Sequence, residues 1–194
     1  FGELSTRRSL DFGCGVGRLL IPLAEVSEVC VGVDIAGAML QEAALNCVKY
    51  NRHNVRLART LEGIDPGNGA GFSFIHSHMV LQHLDPQRGL SIISALLSRL
   101  DTGGVAALHM TYAHAKHRAN QGVRPRASRV ARFISRPVTR IRRQLTRGDP
   151  QMLMYPYDLN RVLFLAQDCG VRSGGLQFTD HAGHLGVILF LRRE

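Results

Sequence analysis

Five adjoining residues near the start of the chain, Gly13-Cys14-Gly15-Val16-Gly17, restrict its folding more than any other feature. Glycine at alternate positions lets the backbone turn tightly and lets a ligand approach the main chain closely where a helix begins. The flanks agree with that reading. Ser9–Phe12 is a short apolar strand, and Arg18–Val26 has helical composition, with Pro22 tolerable only near its first turn. Glu28–Val33 then reads as a second buried strand ending at Asp34, and Ala36–Tyr50 carries Met39, Leu40, Ala43, Leu45 and Val48 at helical spacing. Strand, glycine loop, helix and strand together make a β-α-β unit.

The pattern continues. Asn54–Ala58 is a weaker third strand, Gly63–Gly71 a loop rich in Gly, Asp, Pro and Asn, and Phe72–Ser77 a fourth strand. Asp85-Pro86 has the chemistry of a helix start, with Asp as the cap and Pro at the first position, leading Gln87–Leu100. Asp101-Thr102-Gly103-Gly104 reads as a turn before a fifth strand, Val105–Thr111. Tyr157–Asp168 is a helix closed by Gly170, and Val171–Thr179 and Leu185–Leu191 are strands joined by Asp180–His184, a joint so short that the pair must be antiparallel. Alternating strands and helices followed by a hairpin predict a doubly wound α/β sheet with one reversed strand.

Composition excludes several classes. With 45% hydrophobic residues and only 4 Cys in 194, disorder and a disulfide scaffold are ruled out, and the separated Cys14, Cys30, Cys47 and Cys169 suggest neither a zinc site nor any other metal centre. No apolar run is long enough to span a bilayer and no leader pattern opens the sequence, so the expectation is a soluble, cytoplasmic protein. The chain begins Phe1-Gly2-Glu3 without a methionine, which suggests a fragment or trimmed chain lacking any N-terminal lid. The net charge of +9 is concentrated: residues 113–150 hold eleven Lys and Arg against the single acid Asp149, leaving the remainder at −1. Arg129, Arg132, Arg136, Arg140, Arg143 and Arg147 recur at helical spacing opposite Val130, Phe133, Ile134, Ile141 and Leu145, as on an amphipathic helix interrupted near Pro137. The single domain 1–194 therefore carries a basic helical insertion. It is either a solvated helix packed by its apolar stripe or a surface for anionic groups, a membrane surface or a nucleic acid backbone.

The chemistry lies around the glycines. Asp11 precedes them, and Asp34 stands about twenty residues on, where a carboxylate accepts both hydroxyls of a ribose. The Gly-x-Gly-x-Gly spacing differs from that of dinucleotide enzymes. An acid two positions before the first glycine repels a pyrophosphate but suits a cationic amino-acid end, which favours S-adenosylmethionine over NAD as the nucleoside cofactor.

Leu10-Asp11-Phe12-Gly13-Cys14-Gly15-Val16-Gly17-Arg18, Val31-Gly32-Val33-Asp34, Phe72–Leu84 and Leu97–Val105 resemble successive motifs of class I S-adenosylmethionine-dependent methyltransferases. The resemblance covers residues 9–112 and implies a seven-stranded, mostly parallel Rossmann-like sheet whose reversed strand is the terminal one. It further implies that Asp11, Gly13, Gly15, Gly17 and the adjoining Arg18 surround the methionine part of the cofactor. By the same likeness Asp34 and Ile35 hold the ribose, Thr60 and Leu61 lie against the adenine, and Ser77 and His78 line the sulfonium end. Ser73 and Arg59-Thr60 depart from the pattern, standing where the family often has acids.

Methyl transfer asks a protein to align a nucleophile, exclude water and, where needed, take a proton. His76, His78 and His83 fall around the end of the fourth strand and His109 near the end of the fifth, so His83 and His109 are the candidate catalytic bases, while His181 and His184 read as surface-loop residues. The expected reaction is transfer to a hydroxyl of a small molecule or glycan bearing acidic groups. An RNA methyltransferase and a non-catalytic cofactor-binding module are the alternatives; oligomeric state is not encoded in any motif.

Overall fold

The computed structural model describes residues 5–64, 70–115 and 153–194. Seven strands, β1 (Arg8–Phe12), β2 (Val29–Val33), β3 (Val55–Ala58), β4 (Phe72–Ser77), β5 (Leu100–His114), β6 (Val171–His181) and β7 (His184–Arg193), form one sheet in the order β3-β2-β1-β4-β5-β7-β6. The first five run parallel and β7 is antiparallel to both β5 and β6. The strand order reverses between β1 and β4, and in such sheets ligands bind at that switch point, beyond the carboxyl ends of the strands.

Among the described residues four α-helices flank the sheet: α1 (Leu20–Glu25), α2 (Gly37–Lys49), α3 (Pro86–Leu97) and α4 (Leu159–Asp168). The core lies between the sheet and these helices, where Leu10, Phe72, Ile75, Ile93, Leu96, Leu108 and Val187 are fully buried. Asp85 caps α3 by accepting the Gln87 N–H at 3.0 Å, and Asp158 caps α4 through the Asn160 N–H at 3.0 Å. Gly170, at φ +85°, ends α4 in the left-handed conformation expected of a helix stop.

Several boundaries differ from the sequence reading, among them the helix read as Gln87–Leu100, which ends at Leu97 because Leu100 pairs with Phe72 in the sheet. The first helix starts at Leu20 rather than Arg18, because the glycine loop spends residues 13–17 in turns, three of them at positive φ. The turn at residues 101–104 is absorbed into β5 as an irregularity: Phe72 pairs with Leu100 and Phe74 with Val105, so the extra residues bulge from the ladder. The final hairpin is longer than expected, closed by Ala182-Gly183 alone, both at positive φ. The basic insertion expected at 113–150 lies outside the described residues from 116 onward; residues 113–114 end β5. Cys14, Cys30 and Cys47 are buried and Cys169 half-buried, all as free thiols, and burial pushes the Cys14 thiol up to about 12.

The chain leading into α4 ties the two sides of the ligand edge together. The buried Tyr157 hydroxyl donates to the Leu81 carbonyl at 2.8 Å, and its own N–H donates to the Thr111 carbonyl at 2.8 Å. Gly89 makes room for that ring, since a Cβ there would stand 1.8 Å from the Tyr157 oxygen. Tyr157→Phe removes this hydrogen bond while the Leu81 carbonyl keeps the Leu84 N–H at 2.9 Å, and urea unfolding should show a loss of about 1 kcal/mol.

Candidate active site

The glycine loop is fixed from below. The N–H groups of Gly13 and Cys14 both donate to the Val33 carbonyl, at 2.7 and 3.0 Å, which fastens the loop to the end of β2. Gly13, Gly15 and Gly17 take φ of +78°, +53° and +89°, a region closed to most side chains. A Cβ on Gly13 would collide with Val80 at 2.2 Å, whereas a Cβ on Gly15 would meet nothing within 4 Å. The loop thus presses against the segment after β4 on one side and opens a cradle over Gly15 on the other.

Asp34 closes that cradle. Its Oδ2 accepts the Gly15 N–H at 2.9 Å and its Oδ1 accepts the Ala36 N–H at 2.9 Å, which holds the carboxylate still while each oxygen keeps a second lone pair. Beneath the loop, Asp11 is 2% exposed; its Oδ1 lies 3.3 Å from His76 Nδ1, and its Oδ2 has no partner. A buried carboxylate oxygen without a donor is costly and calls for a cationic or donor ligand. Ser77, fully buried at the end of β4, likewise has an unpartnered Oγ.

The other expected contacts line the same edge more openly. Ile35 is 70% exposed beside Asp34, and Arg59 reaches back to donate to the Ile35 carbonyl at 3.2 Å. Thr60 is exposed, while Leu61 packs against the core and its carbonyl accepts from Arg99 at 3.0 Å. Arg18 is exposed in the turn before α1. Ser73 is remote from these groups: its hydroxyl accepts the Arg8 N–H and donates to the Arg8 carbonyl, stitching β4 to β1.

The histidines divide into two kinds. His109 is fully buried; its Nδ1 accepts the Met79 N–H at 3.3 Å, so the neutral ring carries its proton on Nε2, 3.0 Å from Thr179 Oγ1. Burial, followed by the nearby His78, His181 and His76, pushes its pKa down to about 4. His83 sits in a short 3-10 turn, Leu81–His83, with Nδ1 at 3.2 Å from the Leu153 carbonyl; that contact fixes the proton on Nδ1 and leaves the Nε2 lone pair available, 3.5 Å from Gln82 Nε2. His78 stacks between His76, at 6.1 Å, and His109, at 4.8 Å between ring centres. Among the described residues, no group of three or more His, Cys, Asp or Glu has the arrangement to hold a metal ion.

Several neighbours escaped the sequence reading. His181 is not merely a loop residue: its ring meets His109 edge-on at 5.3 Å and its Nε2 is buried. Thr179 and Met79 hold His109, and Gln82 is 1% exposed with an unpartnered Oε1. Met79 takes a positive φ of 59°; its contact with His109 joins residues 30 positions apart and that of Thr179 with His109 residues 70 apart, so neither leaves a signal in spacing.

A family profile described as a methyltransferase domain matches residues 3–145. The chain belongs to the class I S-adenosylmethionine-dependent methyltransferases. Several solved structures share its fold. Magnesium protoporphyrin IX methyltransferase from Synechocystis PCC 6803, solved with bound S-adenosylhomocysteine, is 19% identical with a TM-score of 0.65, over 98% of this chain and 76% of that one. The YcgJ protein of Bacillus subtilis is 16% identical with a TM-score of 0.62, over 98% and 93% of the two chains. The N-methyltransferase NodS of Bradyrhizobium japonicum WM9, in complex with S-adenosyl-l-homocysteine, is 14% identical with a TM-score of 0.59, over 95% and 76%. A search of the curated proteins returns no sequence match. Among the described residues of this methyltransferase, no helix is long and apolar enough to cross a membrane.

Proposed function

We propose that this methyltransferase transfers the methyl group of S-adenosylmethionine to a hydroxyl of a small molecule or glycan bearing acidic groups. The observation that carries the cofactor assignment is the unpartnered Oδ2 of buried Asp11 beneath an open glycine cradle. That oxygen accepts a hydrogen bond from the ammonium of the cofactor, Gly13, Gly15 and Gly17 leave the backbone bare beside its methionine part, and Arg18 flanks the opening. The outer lone pairs of Asp34 take the ribose hydroxyls, with Ile35 beside them, and Thr60 and Leu61 border the base. Ser77 and His78 flank the reacting end. The cofactor supplies a methyl group already made electrophilic by its sulfonium.

The protein's remaining task is to orient the acceptor and remove its proton. His83 suits this, because the Leu153 carbonyl holds its Nδ1–H and leaves Nε2 without a proton, with the Gln82 amide 3.5 Å from it; the acceptor O–H proton would pass to Nε2 as the C–O bond forms and the methyl–sulfur bond breaks, releasing S-adenosylhomocysteine. His109 has both nitrogens engaged within the fold and acts as a positioning residue for the loop after β4. The eleven basic residues among positions 113–150 favour an acceptor with phosphate or carboxylate groups. A nucleic acid acceptor would instead show a steep salt dependence of binding.

Isothermal titration with S-adenosylmethionine and S-adenosylhomocysteine, with NAD as control, tests the cofactor. Binding of the first two and not the third is expected, and NAD binding that these ligands fail to displace would refute the reading. In turnover assays over a panel of hydroxylated acids and glycans, His83→Ala should retain cofactor affinity while kcat falls about 100-fold, in line with loss of a general base. Unchanged kcat removes His83 from that role.

A further inference from the structure

We propose that two copies of this chain join edge to edge through β6, continuing the sheet across a two-fold axis that passes at Leu176. β6 is an edge strand: it pairs with β7 on one side and with no strand among the described residues on the other. Exposed edges are normally blunted by brevity, proline, lysine or a covering element. β6 carries one register irregularity, between Val171 and Ser173, and is regular beyond it; it runs for 11 residues, Val171–His181, without proline or lysine, and its only formal charges are Arg172 and Asp180 near its two ends.

The sequence of the strand is complementary to itself. A two-fold axis perpendicular to the sheet keeps each side chain on its own face, so opposed residues must share a face and the axis must pass at a residue. With the axis at Leu176, Arg172 of each copy opposes Asp180 of the other, Ser173 opposes Thr179, Gly174 opposes Phe178, Gly175 opposes Gln177, and Leu176 meets itself. Moving the axis to Gly175 or Gln177 puts Arg172 against Phe178 or against Ala182 of the turn and leaves both charges unpaired.

Shape agrees with charge. A cavity of about 450 Å³ lies between α4 and the sheet, lined by Leu163, Arg172, Gly174, Leu176, Leu189 and Leu191. Its floor is bare at Gly174, the position that the register sets opposite the other copy's Phe178. Leu176 and Phe178 stand on that same face at 52% and 71% exposure, far more than large apolar side chains on the neighbouring strand β7. An aromatic ring laid over a cross-strand glycine is a recurrent stabilising pair in sheets. The occupant is a second copy because the complement of this strand is the strand itself.

Sedimentation velocity over a concentration series tests the proposal. The wild-type chain should dimerise reversibly. Leu176→Lys, which sets two ammonium groups face to face on the axis, should give a monomer with unchanged thermal melting. Arg172→Asp and Asp180→Arg should each weaken the dimer at least tenfold, and the paired exchange should restore it. Asp180 also accepts the Gly183 N–H within the hairpin and Arg172 donates to the Gln167 and Val171 carbonyls of its own chain, so a second readout is independent of those contacts. Leu176→Cys should form a covalent dimer under a mild disulfide-forming oxidant, while Phe178→Cys, set away from the axis, should not. A wild-type chain that stays monomeric throughout, a dimer indifferent to Leu176→Lys, a paired exchange that fails to rescue, or the absence of the Leu176→Cys cross-link would each overturn the proposal.

Discussion

Asp34→Ala is expected to reduce S-adenosylmethionine affinity more than 100-fold, to the point where titration registers no heat. Two losses coincide. The ribose loses a charged acceptor for its hydroxyls, each such hydrogen bond contributing about 1.5–3 kcal/mol. The loop also loses its tether, because the same carboxylate accepts the N–H groups of Gly15 and Ala36 at 2.9 Å each. Asp34→Asn separates these effects: its amide oxygen retains one backbone acceptor, so the cradle persists while the negative charge is gone, and affinity should fall between wild type and alanine. Equal affinity in Asp34→Ala and wild type would mean that the ribose is held elsewhere.

Acid is the second large lever. His109 is neutral in the folded protein down to a pKa of about 4, through burial and the company of His78, His181 and His76, but in the unfolded chain it protonates near 6.5. As pH falls through this window the unfolded state binds a proton that the folded state refuses, so stability present above 6.5 is lost progressively until about pH 4, amounting to about 3 kcal/mol. His78, lowered first by burial and then by His76 and His181, acts in the same direction. Urea unfolding at pH 7 and at pH 4.5 measures the loss, and His109→Gln, which still offers an acceptor to Met79 N–H and a donor to Thr179, should flatten the profile. A variant that keeps the wild-type slope would place the acid sensitivity in other groups.

The parts of this molecule that were legible in its sequence are those determined by near neighbours. Ser9–Phe12, the glycines and Asp34 form a unit whose residues act within about twenty positions, so composition, period and spacing suffice to set the glycine loop after β1 and Asp34 after β2. The Asp85 and Asp158 caps and the Gly170 stop are local too. Position 109 was marked by its place at the end of a strand, yet nothing in the sequence distinguishes it from position 83. The distinction comes from Met79, Thr179 and the Leu153 carbonyl, which arrive from other strands and loops and decide which ring nitrogen stays available. For the same reason His181, read as a loop residue, turned out to touch His109: a hairpin's place in a sheet depends on the strand it pairs with. The helix start at Leu20 and the bulge at residues 101–104 were misplaced by a few residues because backbone sign and ladder register, rather than hydrophobic period, set them.

The ties around Tyr157 bear on how such a protein can change over time. On either side of positions 116–152 the described backbone is moored at Ala115, whose N–H is held by the Gly183 carbonyl at 2.7 Å, and at Tyr155, whose N–H meets the Gln82 carbonyl at 2.8 Å. Both moorings stand on the ligand edge and both join described residues. Closing a longer loop across fixed ends costs only about 0.6 kcal/mol for each doubling of its length. Chain length between two such fixed anchors can therefore change at small entropic cost, and neither anchor draws on the contacts that hold the glycine loop to Val33 and Asp34.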